Sequence, residues 1–158
     1  MYNLIILGII ISIIFYELTE ISPGGIIVPG YIALFITQPE RIIMTIFLSL
    51  ATLLVVNILS NYTILYGRRK FGIMIIISFI IRLIMQMSIN YLPLPDILAT
   101  SSIGYIIPGI IAQDIGRQGI VKTVSSMILV ASLIKLIDII IVNGVLIWKK
   151  SLKKKISL

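Results

Sequence analysis

Three observations predict an all-α integral membrane protein: an apolar composition, four long apolar runs, and a Pro-Gly phrase that occurs twice. Hydrophobic residues make up 59% of the 158 and charged residues 12%, and the mean hydropathy is +1.16. Soluble domains are closer to half apolar and a quarter charged. Because a soluble core of this size could not bury so much Ile and Leu, we expect residues 1–158 to form one membrane domain covered mostly by lipid.

The apolar runs predict about four transmembrane helices. They cover residues 1–18, 42–62, 71–92 and 120–148. A helix needs roughly 20 apolar residues to cross a bilayer. The first run is slightly short and the last is long, so we expect tilt, or a stretch outside the membrane, at these two. Two more apolar segments, residues 24–36 and 103–112, are too short to span and are predicted to be re-entrant.

The two short segments share a sequence motif that contains the Pro-Gly pair, and this similarity predicts an internal repeat. An offset of 79 residues aligns residues 25–33 with residues 104–112, with six of nine positions identical, and also places Glu17 on Asp96 and Lys70 on Lys149. These coincidences favour two copies of one unit, residues 1–79 and 80–158, over a chance match in Ile-rich sequence. Because each copy would hold an even number of full spans, we expect parallel repeats related by an axis along the membrane normal.

The charged residues predict an orientation. Much of the net charge of +7 lies in Arg68, Arg69 and Lys70 and in a tail with five lysines between residues 149 and 155. Cytoplasmic loops of membrane proteins carry an excess of Lys and Arg. Both clusters follow an even-numbered span, so we expect both clusters, and both termini, to be cytoplasmic.

The absence of two residue types excludes several chemistries. The chain has no cysteine and no histidine. A disulfide framework, thiol chemistry, a histidine-based metal site and a Ser-His triad are therefore not expected. No cofactor or nucleic acid is predicted.

The Pro-Gly pairs are the first candidate site. Proline lacks a backbone donor and glycine loosens the chain, so both pairs should break or start helices. Two short helices starting there could point their positive ends at one anion-attracting site at mid-membrane. The alternative is a pair of tight structural turns at the outer surface. The candidate path residues are Gly24, Gly25, Pro29, Gly30, Tyr31, Gly104, Pro108 and Gly109.

Charged residues in apolar surroundings are the second candidate site, because they are costly in a membrane and normally face a partner or water. Arg82, Lys135 and Asp138 are predicted to form one polar cluster, either structural or part of a path for a charged substrate. Glu17 and Glu20 are predicted to be either ordinary interfacial acids or residues that flank the path. Asp114 and Arg117 are predicted either to lie in a solvated loop or to contact a polyanion.

Several segments together resemble a known family. They are Glu-Leu-Thr-Glu-Ile-Ser-Pro-Gly-Gly-Ile-Ile-Val-Pro-Gly-Tyr at residues 17–31, Ile-Leu-Tyr-Gly-Arg-Arg-Lys-Phe at residues 64–71, and Ile-Ile-Pro-Gly-Ile-Ile-Ala at residues 106–112. In this order they resemble the small membrane subunit of the poly-γ-glutamate capsule synthase, of the CapC or PgsC type. The sequence departs from that pattern at Glu20, where glycine is usual, and at Gln113, where asparagine is usual.

The resemblance implies a non-catalytic subunit of the bacterial inner membrane. Its implied partners are an ATP-dependent amide ligase subunit, a membrane-anchored outward-facing subunit, lipids and the poly-γ-glutamate polymer itself. Four spans enclose little lumen, so a passage for the polymer would need a partner or a homo-oligomer. The alternatives are a membrane scaffold that recruits the ligase through its basic clusters, and an unrelated small-solute transporter.

Overall fold

The computed structural model describes residues 2–62, 67–91 and 103–156, and it describes side chains in residues 4–62, 67–87 and 103–141. Within these ranges the chain is helical and contains no strand, which confirms the all-α prediction. The helices are α1 (Tyr2–Thr19), α2 (Val28–Leu34), α3 (Pro39–Ser60), α4 (Gly67–Tyr91), α5 (Ile107–Gln118) and α6 (Ile120–Ile156).

Among the residues whose side chains the structure describes, three helical stretches are long and apolar enough to cross a membrane. The qualifying stretches are Pro39–Ser60, Gly67–Met87 and Ile120–Ile141, and the apolar stretch Leu4–Thr19 of α1 is shorter. The last helix has 37 residues, which corresponds to about 55 Å at 1.5 Å per residue. This length exceeds the roughly 30 Å of a hydrocarbon core, so part of α6 extends beyond it.

Both Pro-Gly pairs start a helix, as the sequence predicts. Helix α2 begins at Val28 and α5 at Ile107, and proline is the second residue of each. The residues before them, Ile27 and Ile106, adopt nearly the same backbone, with φ and ψ of −92° and −30° and of −95° and −30°. Proline suits a first helical turn because its fixed φ matches the helix and its missing N–H would be unpaired there anyway.

The short helices pack between the two halves of the chain. Helix α2 contacts α1 and α6, whereas α5 contacts α4 and α3. Each short helix therefore packs against the first long helix of its own half and the last long helix of the other half. A shared core of Val28, Ile32, Ile107 and Ile111 fills the space around them.

Contacts around α2 fix the direction of the first half. Gly30 lies against Ile5 and Gly8, near the beginning of α1, so the chain runs back along α1 after that helix ends at Thr19. Along α6, Met127 lies beside Gly24 and Ile134 beside Gly8. The segment from residue 20 to α2 is thus antiparallel to α1 and runs in the same direction as α6.

Contacts around α5 fix the direction of the second half. Tyr105 reaches Gln86, and Gly116 lies beside Met74, so the chain from residue 103 to α5 is antiparallel to α4. The same segment follows α3 in direction, because the Ile103 N–H donates to Thr45 and Gly116 lies beside Leu53.

The two segments that carry the short helices are antiparallel to each other. Ser22 forms a hydrogen bond with Asp114, and Gly25 lies against Ile110. The residue number therefore rises along one segment as it falls along the other. It follows that α1 and α3 run one way and α4 and α6 the other. The prediction of parallel repeats is therefore wrong. It counted each Pro-Gly segment as re-entrant, whereas each segment carries the chain to the opposite end of the bundle.

This arrangement also separates the basic clusters. Arg68, Arg69 and Lys70 begin α4, at the end where α1 finishes, which we call the collar end. The start of α1 and the tail of α6 lie at the other end, the termini end. The prediction that one side holds both clusters is wrong. Charge alone does not orient the bundle, because the collar end carries five basic residues, the three above with Arg117 and Lys122, and the termini end carries six, Arg41 and the five tail lysines.

Candidate functional site

Residues 20–34 and residues 103–118, each a non-helical stretch followed by a short helix, are called the two broken segments. A cavity lies toward the collar end, between α1 and these two segments. It has a volume of about 400 Å³. Its polar lining comes from Ser12, Tyr16, Ser22, Asp114 and Arg117, and its apolar wall from Pro23, Ile26, Ile27 and Ile110. A neighbouring cavity of about 170 Å³ shares Tyr16, Ser22, Asp114 and Arg117 and adds Glu20 and Gln118. The shared residues thus form one polar site with two compartments.

The centre of the site is a hydrogen bond between the two halves of the chain. The Ser22 hydroxyl donates to Oδ2 of Asp114, and the Gly25 N–H donates to the Ser22 hydroxyl over 3.2 Å. Asp114 is only 6% exposed. Burying a carboxylate is costly unless hydrogen bonds or opposite charges compensate. Ser22 and the nearby Arg117 offset part of this cost.

Gln118 holds the backbone of the first broken segment. Its side-chain Oε1 accepts from the Ser22 N–H over 3.0 Å, and its Nε2 donates to the Ser22 carbonyl. The same Nε2 donates to Thr123 over 3.0 Å, and the Ser126 hydroxyl lies 3.3 Å from the Ser22 carbonyl. Backbone groups outside a helix need partners where water is scarce. Side chains from α5 and α6 thus replace the missing helical bonds.

Ser12 is a polar residue with unused hydrogen-bonding capacity. It lies in the middle of α1, is fully buried, and lines the larger cavity. Among the described residues its hydroxyl has no hydrogen-bond partner, and the same holds for Oε1 of Gln113. An unpaired buried polar group costs roughly 1–3 kcal/mol. The wall of the cavity therefore contains a buried hydroxyl without a hydrogen-bond partner among the described residues.

The second broken segment has its own supports. The Ile103 N–H donates to Oγ1 of Thr45 over 2.9 Å, and the Ser78 hydroxyl lies 3.3 Å from the Tyr105 carbonyl. The Arg82 guanidinium lies 4.8 Å from the centre of the Tyr105 ring, a cation–π distance. These contacts attach residues 103–105 to α3 and α4.

The predicted path residues separate into two groups. Gly24 and Gly25 belong to the non-helical residues between α1 and α2. Their φ angles are 83° and 101°, and Gly25 lines the cavity. Gly104, with φ of 66°, occupies the corresponding place in the second segment. The others are Pro29, Gly30, Tyr31, Pro108 and Gly109. Tyr31 is half-buried, the other four are buried, and all five lie on the short helices.

The predicted anion site at the helix starts is not where the polar cavity lies. Val28 and Ile107, the first residues of α2 and α5, are part of the shared apolar core. The cavity instead follows the last turns of α5, around Asp114 and Arg117.

The predicted charged residues are also divided. Asp114 and Arg117 line the same cavity. Glu17 is exposed on the last turn of α1, and Arg68 and Arg69 are exposed at the start of α4, with Lys70 half-buried. Lys135 pairs with Asp138 over 3.8 Å, which confirms their proximity. Arg82 lies against Tyr105 instead, so the predicted cluster of three is divided.

Sequence reasoning missed Ser12, Tyr16 and Ser22 as parts of the site. Ser22 lies 92 residues from Asp114, so their contact has no local signature. Ser12 does have one, because it is the single hydroxyl residue in the apolar run of residues 4–15.

Comparison with known proteins assigns the chain to a family. The family described as Capsule biosynthesis CapC matches residues 7–124, which include both broken segments and every residue of the cavity. The chain belongs to the CapC family. A capsule biosynthesis protein CapC of Bacillus anthracis is 38% identical over 132 residues, which cover 83% of this chain and 88% of that protein. A PGA biosynthesis protein CapC of Bacillus subtilis is 39% identical over the same shares.

No solved structure shows a significant match to this CapC-family chain. Among its described residues, no group of three His, Cys, Asp or Glu side chains could hold a metal ion. The family membership supports a role in capsule biosynthesis, and the apolar helices support a membrane location.

Proposed function

We propose that this chain is a non-catalytic membrane subunit of a complex that makes and exports poly-γ-glutamate. The names of its relatives, a capsule protein and a PGA biosynthesis protein, support the pathway. The observation that carries the role in export is the Ser22–Asp114 junction, where two broken segments line a cavity with a mostly apolar wall and a few polar groups. Broken backbone at membrane depth is tolerated where protein buries it or where it lines a cavity.

We further propose that the two halves are inverted repeats with three passes each. In the first half, Gly30 lies against Ile5 and Gly8 of α1. In the second half, Gly109 lies against Ile75 and Ser78 of α4. The paired glycines are 79 residues apart and their contacts 70 apart, so nine more residues separate the glycine from its contact in the second half than in the first. Transporters with inverted repeats often bind substrates at discontinuous helices of this kind.

The collar end is proposed to handle the polymer. Arg68 and Arg69 are exposed there, at the same end as the cavity. Cations near the mouth attract a polyanion, and the attraction weakens as ionic strength rises. The passage itself is proposed to include partner subunits or further copies of this chain, because one small bundle encloses little space.

The test is an export assay in cells that lack the natural gene. Cells are complemented with the wild-type chain or with Arg68→Gln/Arg69→Gln, and polymer is measured inside the cell and at its surface with ligase levels held constant. We expect the double variant to reduce surface polymer severalfold. Lys149→Gln/Lys150→Gln removes the same charge from the termini end and is expected to retain export. Equal surface polymer in all three strains would contradict a role for Arg68 and Arg69 in export.

A scaffold is the second candidate, favoured by the length of α6. This helix continues to Ile156, beyond the apolar run of residues 120–148, and carries the basic tail. Such a tail could hold the ligase subunit near anionic lipid. Loss of ligase co-purification on removal of residues 149–158, with export lost in parallel, would favour the scaffold.

A further inference from the structure

The larger cavity combines three chemical features that no described protein contact fully uses. It holds a buried carboxylate at Asp114, a fully buried hydroxyl without a partner at Ser12, and a cationic side chain at Arg117. We infer that this cavity binds one carboxylate-bearing amide unit, such as a single γ-linked glutamyl residue. The inference rests on the proposed function and assigns that function a binding site.

Arg117 selects the carboxylate of the ligand. It is exposed, lies one turn after Asp114, and lines both compartments of the site. Guanidinium groups bind carboxylates through two parallel hydrogen bonds. The carboxylate of a ligand would be repelled by Asp114 and attracted by Arg117, so it points toward the outer part of the cavity.

Asp114 and Ser12 select the amide of the ligand. A carboxylate offers about four acceptor positions, and the described hydrogen-bond donor to Asp114 is the Ser22 hydroxyl. An amide N–H can therefore bind the remaining positions of Asp114. The Ser12 hydroxyl can donate to the amide carbonyl, which would satisfy a group that is otherwise unpaired.

The dimensions and the walls fit one unit rather than a folded polymer. Ligand cavities are typically about 300–1,000 Å³, and the volume here, about 400 Å³, is near the lower limit. Ile26, Ile27 and Ile110 provide apolar contacts for the methylene groups between a carboxylate and an amide.

Binding is tested with the full chain in lipid nanodiscs by titration calorimetry. The probe is γ-glutamyl-glutamate, and the same dipeptide with its carboxylates converted to primary amides is the comparator. We expect the carboxylate form to bind at least several times more tightly, because Arg117 pairs with a carboxylate and not with a neutral amide. Loss of one hydrogen bond predicts about fivefold to tenfold weaker binding for Ser12→Ala, and loss of the cation predicts about tenfold or more for Arg117→Gln.

Matched controls come from α6, which carries neither Ser12 nor Arg117. Ser132→Ala removes an exposed hydroxyl of α6, and Lys122→Gln removes an exposed cation that does not line the cavity. Both should bind the probe as the wild type does. Thermal unfolding without ligand verifies that each variant is folded.

Two results would overturn the inference: equal affinity for the two dipeptides, or unchanged affinity in Ser12→Ala and Arg117→Gln. If the probe fails to bind while export still requires the chain, the inference fails and the proposed function stands. If the probe binds as expected while surface polymer does not depend on the chain, the proposed function fails instead.

Discussion

Gly8 on α1 and Gly30 on α2 meet backbone to backbone. A Cβ atom on Gly8 would lie only 2.6 Å from the Cα atom of Gly30. The second half has a similar close contact, since a Cβ on Gly109 would lie 2.8 Å from Oγ of Ser78 and 3.0 Å from Cα of Ile75. Small residues permit such approaches between helices in membranes, where packing is a main source of association. These contacts attach the short helices to α1 and α4.

Replacing Gly8 should therefore destabilise the fold. We expect Gly8→Ala to cost about 1–3 kcal/mol, because the new methyl group meets backbone and the helices must separate. Gly72→Ala is the control, since a Cβ at this helical position would have no neighbour within 4 Å. Thermal unfolding in detergent measures both. Equal unfolding temperatures for the two variants would contradict the close packing of α1 and α2.

Cysteine labelling tests the direction of the helices, and the natural chain contributes no background because it lacks cysteine. Single cysteines replace Glu20, Gln38 and Tyr62, all of which are exposed. An impermeant maleimide should label positions 20 and 62 from one side of the membrane and position 38 from the other. Parallel repeats would instead place positions 20 and 38 on the same side. The labelled side also shows which end of the bundle is cytoplasmic.

Glu20 should limit stability through its backbone. It directly follows α1 with a φ of 56°, and among the described residues it is the one non-glycine with positive φ. This conformation costs most residues roughly 1–2 kcal/mol and costs glycine little. After allowing for the flexibility of unfolded glycine, we expect Glu20→Gly to stabilise the chain by about 0.5–1 kcal/mol.

Glu17→Gly is the matched control for this variant. It removes the same charge from within α1, where glycine should cost about 1 kcal/mol. Thermal unfolding should therefore shift in opposite directions in the two variants. Destabilisation by both would show that the carboxylate of Glu20, and not its backbone strain, determines the effect.

Local physics explains which predictions succeeded. Apolar runs of spanning length became α3, α4 and α6, and proline placed the starts of α2 and α5 at Val28 and Ile107. These features depend on residues within one or two turns of each other. The pairing of Lys135 with Asp138 is of the same kind, since the two residues are three apart on one helix.

The sequence by itself determined an apolar helical chain, the two helix starts at proline and the family. Only the tertiary structure decided that the halves run in opposite directions and that Ser12, Ser22 and Asp114 meet around one cavity. The reason is physical. Composition and helix starts follow from local preferences, whereas direction depends on whether a non-helical segment and a short helix carry the chain across the bundle. That outcome is set by contacts such as Gly30 with Gly8 and Ser22 with Asp114, the latter between residues far apart in the chain.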